Sequence, residues 1–190
     1  MPREIQILRR PTVTFRDVIE SPERGVWVLL RRPLLLLFSM GVALSLSSSN
    51  RLSARTTVDG MISFLFLPVA GILGVGYTFL RIDRRLPFSR VVDAFFLSNA
   101  PWLLWILVFV TWETLTHALT ISLTGATAVL ATLVVPMLWT VYLDLQLFRI
   151  VLSRKAVAVD LIVSRGIAWI FALGYFVGIA AWAWIVAVMR

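Results

Sequence analysis

A chain of 190 residues that is 59% hydrophobic and only 15% charged is too apolar for an ordinary soluble domain, where about a quarter of positions carry charge. Its net charge of +8 would suit nucleic acid in a soluble protein. Here the basic residues fall between long apolar runs, which points to a polytopic membrane protein and away from nucleic acid. The absence of cysteine excludes disulfides, thiolate metal sites, iron–sulfur clusters and cysteine nucleophiles.

Residues 1–32 read as a basic, mildly amphipathic arm that is retained, because no small-residue cleavage site follows the first apolar run. Thr12 or Thr14 could cap a short helix with Phe15, Val18 and Ile19 on one face, stopped by Pro22. Arg16, Asp17 and Glu20 fall on other faces. Two readings remain open for this arm. It is a helix lying on the membrane surface, with arginines toward anionic lipid and Trp27 at the interface, or a leader that orients the first span. Both place it in the cytoplasm.

Five continuous apolar runs follow, about 33–48, 60–80, 88–112, 121–148 and 166–189. They are helical because they do not alternate as barrel strands would. The first is short and extends backwards if Arg31 and Arg32 snorkel. The second contains Pro68, Gly71, Gly74 and Gly76, which make it kinkable and approachable. The third, the run around which the bundle is expected to pack, carries Asp93 near its start and Asn99-Ala100-Pro101 at its middle. Proline deprives the Leu97 carbonyl of its helical donor, and lipid supplies no substitute, so a neighbouring helix or a side chain such as Ser98 or Asn99 must repair the break. The fourth contains Pro136, Trp139, Tyr142 and Asp144. The fifth holds Gly174 and Gly178, a small-xxx-small contact face.

Loop charge sets the orientation. With the N-terminus inside, the inner segments hold fifteen of the eighteen basic residues, so the chain is expected N-in and C-out. Only Lys155 among them is lysine, an arginine bias that suits a GC-rich bacterial genome and hence a bacterial inner membrane. The fold expected is an all-α integral membrane bundle of five spans preceded by the basic arm.

Three stretches resemble the Yip (Ypt-interacting protein) domain family of five-span membrane proteins. They are the arm Pro11-Thr-Val-Thr-Phe15-Arg-Asp-Val-Ile-Glu-Ser-Pro22, the run from Phe88-Ser-Arg-Val-Val to Asn99-Ala-Pro101, and Leu138-Trp139-Thr-Val-Tyr142 before a basic loop and a last span. The resemblance covers nearly the whole chain and is closest to short, prokaryotic-type members. It implies a five-span domain without catalytic activity. Eukaryotic members are linked to Rab GTPases and usually carry a long polar N-terminal region, which the 32-residue arm does not match.

No enzyme signature is present: GxxxxGK[ST], GxSxG and HExxH are all absent. The single histidine, His117, cannot build a multi-histidine metal site. It is a candidate axial ligand to a haem or chlorophyll metal, against the plainer reading of a solvated loop side chain. No cofactor is expected beyond bound membrane lipid.

The intramembrane polar residues carry more information. Asp93 and Asp144 lie about five residues from the inner ends of their spans, which places both about 7–8 Å inside the boundary. A carboxylate deep in lipid is costly, so partners are expected from Arg90, one turn from Asp93, and from Arg149 and Arg165 at the same edge. Such a cluster is either a cation, proton or headgroup site or an interhelical ion-pair network that sets register. Asn99, Pro101 and Pro136 mark helix breaks that line a transport path or are patched locally. Two functions stand in contrast. One is a non-catalytic scaffold or accessory subunit that binds another integral membrane protein or a larger complex. The other is a small transporter, channel or lipid-handling protein that uses the acids.

Overall fold

The computed structural model describes residues 3–22, 25–49, 51–80, 86–116 and 123–152, together with Val163, Arg165, Gly166, Ile170 and Gly174. Every regular element among them is helical: α1 (Arg3–Arg9), α2 (Pro11–Glu20), α3 (Val26–Ser49), α4 (Ala54–Ser63), α5 (Phe66–Phe79), α6 (Phe88–Leu97), α7 (Ala100–Thr116) and α8 (Leu123–Leu152). Among the described residues, four stretches are long and apolar enough to cross a membrane: Val26–Leu46, Ala54–Phe79, Phe88–Trp112 and Ala131–Val151. The chain is thus an all-helical protein with the make-up of a multi-pass membrane protein. The expected fifth span falls almost wholly outside the described residues.

The boundaries differ from the sequence reading in ways that local chemistry explains. The first span starts at Val26 and runs through Arg31, Arg32 and Pro33 without interruption. The second helix begins at Ala54, earlier than the expected residue 60, because the Ser53 side chain accepts from the Thr56 amide as an N-cap. It then breaks at Phe64-Leu65. Pro68 cannot donate to Phe64 O four residues back, and the Leu67 amide bonds that carbonyl instead at 3.0 Å. The third helix continues past Trp112 to Thr116. Pro136 does not interrupt α8.

The third run is central, as its pattern predicts. Every residue from Arg90 to Pro101 is buried, the polar Arg90, Asp93, Ser98 and Asn99 included. The α6–α7 unit packs against α3, α6 also meets α5 and α8, and α7 meets α8. Its break is a tight turn. The amides of Ser98 and Asn99 reach Phe95 O and Phe96 O at 3.2 and 3.1 Å, and α7 restarts with Pro101 in its first turn, where a missing N–H costs little.

Among the described residues, α3 and α4 meet closely through a pair of glycines. Gly41 of α3 faces Gly60 of α4 so tightly that a Cβ on Gly60 would stand 2.9 Å from Gly41 Cα. A Cβ at Gly41 would collide with Thr57 O. A Cβ on Gly174 or Gly76 would meet nothing within 4 Å, and Gly178 lies outside the described residues. Gly71 does accept a close neighbour, the Phe96 ring.

The N-terminal helices turn their apolar side to the bundle. Ile7, Phe15 and Val18 are fully buried in one core with Val91, Phe95, Leu143, Leu147 and Phe148. Neither Thr12 nor Thr14 caps α2: the helix opens on Pro11, and the Thr14 hydroxyl donates back to Arg10 O at 2.9 Å. Arg16, Asp17 and Glu20 are exposed, as the pattern requires.

Candidate functional site

Two polar clusters interrupt the apolar interior, each built around one of the acids singled out in the sequence. Asp93, fully buried on α6, faces the start of α3. Arg31 Nε and Nη2 donate to its two carboxylate oxygens at 3.0 and 2.7 Å, the fork geometry that a guanidinium offers a carboxylate. Arg32 Nη1 also pairs with Asp93 Oδ2 and donates to Asp93 O at 3.1 Å, while its Nε reaches Glu4 of α1 at 3.3 Å. Two guanidinium groups thus meet two carboxylates, and the four side chains join α1, α3 and α6.

Arg90 does not pair with Asp93 in this way. Its fully buried side chain points toward α2, where Nη1 donates to Val18 O at 3.2 Å. One helical turn along α6 is enough to direct the two groups to different neighbours. Arg149 is exposed on α8, outside both clusters. Arg31 and Arg32, expected from the sequence to snorkel, are the partners that Asp93 uses. A stretch that reads Arg-Arg-Pro inside an uninterrupted helix was the available signal: an apolar helix that keeps two arginines must give them somewhere to go.

The second cluster sits at the α6–α7 break. Arg165 Nε and Nη2 bind the two oxygens of Asp144 at 2.7 and 3.0 Å. Arg165 Nη1 donates to Asn99 Oδ1 and Nη2 to Ser98 Oγ, both at 2.7 Å. The Ser98 hydroxyl also lies within hydrogen-bonding distance of Asp144 Oδ1 and, at 2.6 Å, of Phe95 O. The guanidinium carbon lies 4.1 Å from the centroid of the Phe95 ring, a cation–π contact. The Ser98 hydroxyl thus serves Phe95 O, not the Leu97 carbonyl that Pro101 leaves without its helical donor. Asn99 is turned to Arg165, so the break, α8 and the residues after α8 are tied at one point.

Beside this cluster lies a cavity of about 480 Å³, walled by α3, the α4–α5 stretch, α6, α7 and α8, with Asn99 and Arg165 among the lining side chains. His117 lies outside the described residues. Among the described residues, no three acidic or histidine side chains come together to hold a metal. No protein-family profile, curated protein or solved structure matches the chain.

Proposed function

We propose that the chain is a non-catalytic, Yip-like membrane scaffold or accessory subunit whose role is to bind another integral membrane protein. In this reading it has five spans, lies N-in and C-out in a bacterial inner membrane, and presents a basic inner surface. The observation that carries the proposal is the state of the two intramembrane acids. Asp93 is gripped by Arg31 and Arg32, the latter also paired with Glu4, and Asp144 by Arg165. Each cluster is balanced in charge, so neither carboxylate stands ready to take a cation from the cytoplasm. Large apolar side chains such as Leu73, Leu107, Val108 and Leu138 are exposed on the outside of the single chain, where lipid or a partner helix would cover them.

The test is gentle extraction of the tagged full-length protein from its own cells, followed by mass spectrometry of what accompanies it. A stoichiometric membrane-protein partner is the expected result. A lone monomer or homo-oligomer, together with ion or solute flux in proteoliposomes that Asp93→Asn and Asp144→Asn abolish, would replace the scaffold by the transporter.

A further inference from the structure

We infer that the 480 Å³ cavity is a binding site for an uncharged hydrophobe with a flat, carbonyl-bearing ring, of the prenylquinone type. This goes beyond the scaffold function and does not rest on it. The volume lies within the range of about 300–1,000 Å³ typical of small-molecule sites. The cavity is also elongated. Its α7 wall runs from Asn99 through Trp102 and Ile106 to Val110, about 16 Å at the helical rise.

One end is polar and the rest is not. Asn99 and Arg165 are 5% and 7% exposed, and both line the cavity. Arg165 fixes the Asn99 amide by donating to Oδ1, which leaves Nδ2 with two N–H donors and no acceptor among the described residues. The site thus asks for an acceptor on the ligand. It does not ask for charge, because Asp144 already balances the guanidinium through two hydrogen bonds. An anionic lipid headgroup would find no surplus positive charge at this end.

Depth and lining narrow the class further. Asn99 is the twelfth residue of the 25-residue span Phe88–Trp112, so the polar end lies at mid-membrane. A bilayer lipid keeps its ester groups near the surface and would meet the cavity with its polarity reversed. A quinone ring is at home at that depth. Trp102, Trp105 and Phe96 on the walls supply aromatic surface on which a flat ring packs, while Phe95, fully buried, already carries the Arg165 guanidinium.

The test is equilibrium binding of decylubiquinone to the full chain in lipid nanodiscs, read by quenching of tryptophan emission against empty nanodiscs. Saturable binding is expected. Asn99→Asp keeps an oxygen for Arg165 but removes both donors, and it should weaken binding about tenfold or more, the loss expected for a buried donor–acceptor pair. Ile106→Phe and Ala43→Phe narrow the cavity from two different helices, and each should abolish saturation while the thermal transition is retained. Absence of saturable quenching in the wild type overturns the proposal. So does unchanged affinity in Asn99→Asp or in either folded cavity variant. Competition by oleyl alcohol at equal affinity would show that a hydrocarbon chain with a hydroxyl suffices, and would overturn the assignment of a ring.

Discussion

At the scale of single residues, the buried charges dominate the energetics. Arg165 has four hydrogen bonds to three side chains, and two of them go to Asp144. Asp144→Ala leaves a buried guanidinium without its counter-charge and should cost about 3–5 kcal/mol. Joint replacement, Asp144→Leu with Arg165→Met, removes both desolvation penalties and should recover most of that loss. Thermal unfolding in detergent checks this, and a double variant as unstable as the single one would contradict it. The acids themselves were legible in the sequence, because a carboxylate inside an apolar run announces a partner. Arg165 was legible as well, as a basic residue expected at the membrane edge nearest the acids, although the structure sets it against Asn99 at the middle of Phe88–Trp112. Arg31 and Arg32 were not, because local pattern says nothing of which span stands beside which. Asp93 and its two arginines are 61 and 62 residues apart.

At the scale of helices, close approach and breaks follow from small and cyclic residues, but not always the obvious ones. Gly41 and Gly60 look unremarkable in the sequence, one in Met-Gly-Val and the other in Asp-Gly-Met. Yet at these two positions α3 and α4 approach so closely that neither glycine leaves room for a Cβ. Gly41→Ala should force the pair apart at a cost of about 1–3 kcal/mol, whereas Gly76→Ala, with open space around it, should be neutral or stabilising by about 0.5–1 kcal/mol. Unfolding of the two variants side by side decides the matter, and equal stability would mean that α3 and α4 part freely. The breaks at Pro68 and Pro101 were legible because proline removes a defined donor. The spacing of glycines was not enough to rank their contacts, since that depends on which faces the other helices leave open.

At the scale of the whole molecule, the N-terminal helices belong to the bundle. Phe15 and Val18 are completely buried against the ends of α6 and α8. The amphipathic period of this stretch was readable, but an apolar face looks the same whether lipid or protein is to cover it. Phe15→Ala should cost about 3–5 kcal/mol and expose the first twenty residues to proteolysis before the rest of the chain melts. Loss of global stability with the N-terminal helices still protected would show that they are held by the Glu4–Arg32 and Arg90–Val18 contacts alone.

The pairing of Arg31 and Arg32 with Asp93 also imposes an order of events during synthesis. The arginines leave the ribosome with the first span, some sixty residues ahead of the carboxylate that receives them. Until the third span arrives, the first must keep its guanidinium groups at the lipid headgroups. It can settle to its final depth only when Asp93 comes alongside. Asp144 and Arg165 repeat the sequence with the sign reversed, the acid waiting for the base. Each ion pair therefore acts as a latch that closes late, and a chain interrupted between the partners would hold its earlier helices in a shallower, provisional position.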